Sequence, residues 1–474
     1  MAFRESLTDV KLASAERHSG RSLQTPNNNS GRHKAGGYLT NYAMDPLHRF
    51  FRSGPHDPSR RTLLKLASLA GVSWLTPVAE MLARADEQST SREPAQSVIL
   101  LWLAGGPSQL ETFDPHPGKT IAGDTKAIET PLPRVLLAEG METVAAQMES
   151  ISLVRNLVSK EGDHERGTYL VKTGYTPLPV LVHPSLGAIC AHQLLPGSTE
   201  IPRHISILPG PWPGRGGFLG DQYDAFKIYD PAQPAPDMTA TVEEDRLRRR
   251  QGDLEVVERS FRGRRANRAA NTLHRETIDA ARRMMSSEQL AAFDIGREPK
   301  ALREEYGDSD FGRGCLAARR LTEVGVRCVE VTLDGWDSHV NNYNTQQARV
   351  ADLAPAFGAL IRDLRERGQL ERTVVICGGE FGRTPTINPA FGRDHWPGGF
   401  SIALAGGGIR GGVVLGETDP EGARLSAEQG RPVHDIHATV LTALGLDPAV
   451  ENIAASAERP IKLSEGAAIA ELLG

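Results

Sequence analysis

The chain has 474 residues, 39% of them hydrophobic and 24% charged, which is ordinary for a globular protein and enough to bury a sizeable core. Its formal net charge is −5, but the first 85 residues carry 12 Lys+Arg against 6 Asp+Glu, so the remainder stands at −11. An acidic body argues against nucleic acid as a main partner, because phosphate backbones attract Lys/Arg surfaces. The length suits roughly two or three domains, or one large α/β domain with insertions.

Residues 1–58 read as a disordered extension; positions 1–43 are rich in Ser, Asn, Gly and His without periodicity, and Met44 is an alternative start. At Ser59 the character changes. "SRRTLLKLASLAGVSWLTPVAEMLARADE" places Arg60–Arg61 before an apolar stretch that ends in a small-x-small site at "ARA". That is the layout of an export signal over 59–85, and "SRRTLLK" resembles the twin-arginine motif. The apolar stretch contains Ser68, Ser73, Pro77 and Glu80 and is short for a spanning helix, which needs about 20 apolar residues. The expectation is export, with membrane contact only in transit, cleavage after Ala85, and a periplasmic or extracellular mature protein.

From 86 to 474 the pattern is that of a single α/β domain. Near-continuous apolar runs at 97–106, 150–157, 204–210, 326–333, 373–379 and 401–408 suit mostly parallel strands with helices on both faces. Helical patterns that end in glycine, "GCLAARRLTEVG" and "LAPAFGALIRDLRERG", each precede a strand. Residues 239–305 are charged and poor in strand signal. They read as a helical insertion whose "RLRRRQ" forms a solvated face. Cys190, Cys328, Cys315 and Cys377 form no C-x-x-C and read as buried free thiols.

In such sheets, sites form beyond the carboxyl ends of strands. There this chain repeatedly places Asp, Glu and His. "DGWDSH" follows the 326–333 run and carries Asp334, Trp336, Asp337 and His339. Beyond 373–379 come "EFGRTP", with Glu380 and Arg383, and "GRDHWPGG", with Asp394, His395 and Trp396. Beyond 150–157 comes "EGDHERGTYL", with His164, Arg166 and Thr168. "VHDIHATVLTALG" sets His434, Asp435 and His437 at a helix start. Each set alone is weak, since strand-end Asp residues cap helices and most lone His residues are structural. Their recurrence points to a divalent cation: zinc if imidazoles dominate, calcium, magnesium or manganese if carboxylates do. Other motifs fail. "HPGKT" lacks the leading Gly of a P-loop, and no G-x-S-x-G or G-x-G-x-x-G stands in a suitable context.

The stretches "LWLAGGPSQLETFDPHPG", "DHERGTYLVKTGY", "LDGWDSHVNN", "GGEFGRTP" and "HDIHATVLTALG" resemble the secreted family filed as domain of unknown function 1501. That family is in turn similar to the alkaline phosphatase/sulfatase superfamily of metal-dependent ester hydrolases. The resemblance implies an alkaline phosphatase-like fold, a phosphate or sulfate ester of a small molecule or glycan as substrate, and a metal held by Asp337, His339, Glu380, His395 and His434. It implies catalytic roles for His164 or, less favoured, Thr168 as nucleophile, with Arg383 or Arg166 clamping the anion. Asp334 would cap the loop or orient a ligand. Two departures stand out. The first strand ends in glycines, Ser108 and Gln109 where the superfamily has a ligand Asp, and His164 occupies the place of its Ser, Thr or Cys nucleophile. The alternative is therefore a fold relative without catalysis that binds an anionic glycan or a protein partner; transfer to an acceptor other than water is a third reading.

Overall fold

The computed structural model describes residues 93–474 apart from 234–237, 239–241, 270–273, 427 and 455–458. The expected extension and export signal lie outside the described residues. So do the breaks within the 239–305 stretch.

The principal elements, in chain order, are β1 (Ser97–Leu103), β2 (Ile151–Val158), α1 (His164–Thr173), α2 (Leu186–Gln193), β3 (His204–Ile207), β4 (Phe226–Ile228), α3 (Glu244–Ala269), α4 (His274–Ser286), α5 (Asp310–Glu323), β5 (Cys328–Leu333), α6 (Asn342–Glu366), β6 (Thr373–Gly378), β7 (Gly382–Arg383), β8 (His395–Trp396), β9 (Phe400–Gly406), β10 (Val414–Leu415), β11 (Arg431–Pro432) and α7 (Val433–Ala443). The central sheet runs β10-β2-β9-β6-β1-β5-β3-β4, with β11 also paired to β2. All its pairings are parallel except those of β9, which is antiparallel to both neighbours.

Why the strand sequences are apolar throughout is visible in β1. Ile99, Leu101 and Leu103 enter one core with Leu316 and Leu321 of α5 and Phe357 and Leu360 of α6. Val98, Leu100 and Trp102 enter a second core, on the other face, with Ile189 of α2 and Val440 of α7. Side chains alternate between faces and both faces are covered, so neither half of the alternation can be polar. The four cysteines are free and buried, as expected.

The strand ends are level where the site forms. Leu103 pairs with Leu333, and Trp102 with both Thr332 and Gly378, so β6, β1 and β5 finish together. The antiparallel β9 lies between β6 and β2, which makes β2 parallel to β6 and brings its C-terminal loop to the same edge. The expected helix before Gly368 begins earlier than its periodicity suggests. It starts at Asn342 and passes through Pro355. Its buried first turns hold the preceding loop, and this outweighs the proline's lost hydrogen bond. In the 239–305 stretch α3 and α4 are helical and Arg248, Arg249 and Arg250 are exposed. Among the described residues no helix is long and apolar enough to cross a membrane.

Candidate metal centre

Three strand ends and one helix assemble the site. After β1, the backbone turns through Gly105 at φ +110°. A Cβ there would lie 2.6 Å from the Asp337 nitrogen, so only glycine lets the β1 and β5 loops meet. Gly105 donates its N–H to Glu380 Oε1 at 2.9 Å, and its carbonyl accepts from Arg383. The glycine after the first strand thus serves as backbone scaffolding. Glu111, a few residues further on, is bound to Arg393, Thr125 and Ser108. Asp114 is bound to Arg155 and to the Thr418 N–H.

The loop after β5 is held from beneath by α6. Buried Gln346 donates to the Trp336 carbonyl at 3.0 Å and to Ser338 Oγ at 2.9 Å, and Ser338 donates to Asn342 Oδ1 at 2.6 Å. Trp336 is fully buried in the core. Asp334 accepts from the N–H of Gly335, capping the loop, and lines the cavity with His164 and Asp337. The loop after β2 leads into α1, whose N-cap Asp163 accepts from the Arg166 N–H and whose C-cap Gly174 is left-handed, at φ +77°.

These elements converge three imidazoles on one carboxylate. His339 Nε2 lies 3.2 Å and His395 Nε2 3.3 Å from Asp337 Oδ1, and the two ring nitrogens are 3.0 Å apart. His164 Nε2 lies 3.4 Å from Asp337 Oδ2. Each ring is anchored through its other nitrogen. His164 Nδ1 donates to Glu380 Oε1 at 2.7 Å, His339 Nδ1 to Asp394 Oδ1 at 2.7 Å, and His395 Nδ1 to the Gly162 carbonyl at 2.7 Å. A carbonyl only accepts, so His395 must carry its proton on Nδ1 and, when neutral, turns a bare lone pair inward. The carboxylates impose the same tautomer on the other two rings. Electron-rich atoms are then crowded at 3.0–3.4 Å, which only a proton or a cation at their centre relieves. The spacing is that of metal ligands: donors about 2.0–2.1 Å from a tetrahedral ion lie about 3.3 Å from one another. His164 Nε2 is buried and has no hydrogen-bond partner, a further sign that the site expects an electrophile. His164, Asp337 and His395 form a group among the described residues whose donor atoms all lie within 4.8 Å of one another; His339 meets Asp337 and His395 but falls outside that group.

The surroundings tune this group. The hydrogen bond to Glu380 raises the pKa of His164 above its ordinary value against the opposing effect of burial. Burial works to raise that of Asp337, but the Arg383 hydrogen bond and charge, with His164 and His339, bring it below the ordinary carboxylate range. Burial lowers that of His395, and the hydrogen bond from His339 lowers that of Asp394. Phe381 also borders the group. Its ring packs 4.5 Å from that of His395 and 5.1 Å from that of His164, walling the site instead of ligating.

Four of the expected residues have partners of their own. Glu380 is 2% exposed; its Oε1 supports His164, while its Oε2 is buried without a hydrogen-bond partner beside the cavity. Arg383 is wholly buried. Its guanidinium binds the Gly105, Gly106 and Arg393 carbonyls and Asp337 Oδ1 at 2.7 Å, so it orients the carboxylate and has little left for a substrate anion. Arg166 lies two positions, about 200° of helix, from His164 and points away; Glu161 takes it in a two-pronged pair. His434 sits on α7, which meets α1 at its far end: His437 Nε2 donates to the Val171 carbonyl at 2.8 Å, about 10 Å along the helix from His164. The ion-pair partner of His434 is its neighbour Asp435, at 3.8 Å.

Thr168, buried and one turn beyond His164, lines a cavity of about 200 Å³ with His164, Asp337 and Glu380; Trp102 and Trp212 stand on its other walls. The sequence reading did not single out the anchors Asp394 and Gly162 as such. Asp394 had a signal, its adjacency to His395. A backbone carbonyl has none.

Fold and side chains together define an α/β protein with a candidate divalent-metal centre at the carboxyl edge of a mostly parallel sheet. The chain belongs to the family described as Protein of unknown function (DUF1501), whose model matches residues 95–473. No curated protein matches it. Similar solved structures include the PsFucS1 sulfatase from Pseudoalteromonas sp. (14% identity, 77% of this chain and 70% of that one, TM-score 0.33). They also include the alkaline phosphatase of the Antarctic bacterium TAB5 (12%, 75% and 100%, 0.33). A third is the C-terminal periplasmic domain of EcEptC from Escherichia coli in complex with Zn (9%, 79% and 94%, 0.35). Likeness this distant transfers no activity to this chain.

Proposed function

We propose that this chain is an exported, metal-dependent hydrolase of phosphate or sulfate esters. The observation that carries the reading is the inward convergence of His164, His339 and His395 Nε2 on Asp337, each ring anchored by an acceptor at Nδ1. Three imidazoles with one carboxylate favour zinc over calcium or magnesium. An ion held there supplies Lewis-acid polarisation of an ester oxygen. The protein's own part is to hold and orient. Arg383 fixes the Asp337 carboxylate, and Glu380, Asp394 and Gly162 fix the ring tautomers. Phe381 shields one side of the centre, and Thr168 presents the nearest hydroxyl to the cavity from the same helix face as His164. His164, placed among the ligands, is thereby relieved of the nucleophile's role, which leaves Thr168 or water.

The test is to purify the exported form, determine bound metal, and assay phosphate and sulfate monoesters and diesters with and without chelator. Turnover abolished by chelator and restored by zinc supports the reading. Bound metal without turnover across the panel supports the alternative, a binding protein for an anionic glycan or protein partner. No bound metal and no turnover sinks the hydrolase.

A further inference from the structure

Helix α1 carries a second chemical feature on the face that bears His164. His164, Thr168 and Lys172 are spaced four apart and form one stripe, and all three line the same cavity. Lys172 is 6% exposed. Its ammonium donates to Glu330 Oε2 at 2.9 Å and to the Trp212 carbonyl at 3.0 Å, and it lies 5.0 Å from the centre of the Trp102 ring. An ammonium has one more N–H than these two acceptors use.

Glu330 projects from the middle of β5 and is buried at 1% exposure. Burial works to raise its pKa, but Lys172 and His204 outweigh this and bring it down to about 2. The Gly214 N–H also donates to it, at 3.1 Å. The carboxylate is thus a fixed counter-charge beside the lysine at the cavity wall. Neither arginine expected to clamp an anion can do so: Arg383 is committed to Asp337 and carbonyls, and Arg166 to Glu161. Lys172 is the cation among the described residues that line the cavity.

We propose that Lys172 binds the anionic oxygens of the substrate, with Thr168 beside it, so that α1 presents a ligand imidazole, a hydroxyl and an ammonium in a row to one tetrahedral oxyanion. The assignment rests on the ester-hydrolase reading for its substrate class, but anion binding by Lys172 can be measured without turnover or metal. Trp102 and Trp212 give the wall above it an apolar character, which suits an oxyanion carried on a ring-bearing group.

The experiment measures inorganic phosphate and sulfate binding to the full chain by calorimetry, with metal content and thermal unfolding recorded for each variant. Lys172→Met alone would leave Glu330 buried without its partner, so the neutral pair Lys172→Met/Glu330→Gln is used beside it. The double variant should retain its metal and its fold and bind either anion about tenfold to a hundredfold more weakly, the loss of one charge-assisted hydrogen bond. Glu330→Gln, which removes the counter-charge and leaves the ammonium, should bind the anions more tightly than the parent chain. A purely structural lysine gives no such opposite pair of shifts. Unchanged affinity in the double variant, or a parent chain that binds neither anion, overturns the proposal. Lysine-dependent anion binding in a chain that holds no metal sustains it while removing the hydrolase reading.

Discussion

Replacing Glu380 by Gln isolates the support of one ligand from the ligand itself. The side chain is nearly buried and Oε1 accepts from both His164 Nδ1 and the Gly105 N–H, so an amide of the same size can keep the contacts but not the charge. A hydrogen bond to a charged group contributes about 1.5–3 kcal/mol and a neutral one about 1 kcal/mol, so the substitution removes roughly 1–2 kcal/mol of orientation and ligand basicity. Zinc affinity, measured by competition with a chromophoric chelator, should fall about tenfold, within the 10–100-fold range of such supporting contacts. The same hydrogen bond holds the pKa of His164 up, so in the metal-free variant that pKa, followed by NMR, should return toward its ordinary value. The two effects oppose one another at low pH, where protons compete for His164 more strongly in the parent chain. The deficit in zinc affinity should therefore be larger at pH 8 than at pH 6. Affinity within twofold of the parent at both pH values, or an unmoved His164, would refute this account of Glu380.

Gly105→Ala should destabilise the protein by about 1–3 kcal/mol in denaturant unfolding, because the new Cβ meets the Asp337 backbone and φ is +110°. Arg383→Met should weaken zinc binding about tenfold and destabilise by roughly 1–3 kcal/mol, allowing for the partial exposure of Asp337, whereas Arg166→Ala should leave metal content and turnover unchanged. His437 is buried with its pKa lowered to about 4 by burial, so the unfolded chain takes up its proton first. Stability should be full above about pH 6.5 and fall by about 3 kcal/mol as pH drops to 4. His437→Gln, which can still donate to Val171, should flatten that part of the pH–stability curve.

The sheet was legible because burial on both faces makes a strand uniformly apolar, and all six runs reappear with ends shifted by up to three residues. The edge of the site was legible too: Asp337, His339 and His395 lie beyond β5 and β6, as their placement after those runs implied. Rank within the site was not. Whether Glu380 binds an ion or a histidine depends on the direction of its χ angles and on a glycine amide from another strand. Gly105 and Gly106, after the first strand, read as a missing ligand, yet positive φ and close approach made glycine the requirement there. His434 pairs with its neighbour Asp435, and α7 meets α1 through His437 at the turn of Val171 and Gly174. Lys172 was hidden because a lysine before "TG" looks like an ordinary helix C-terminal residue; only the cavity shows the spacing of four from His164 and Thr168.

X-ray absorption at the zinc edge of the metal-loaded chain tests the central claim most directly. The account expects about one zinc per chain, bound by three imidazoles and an oxygen at about 2.0–2.1 Å without sulfur, and lost on His395→Ala or Asp337→Ala. Failure to retain stoichiometric metal, or a zinc spectrum unchanged by both substitutions, would contradict it.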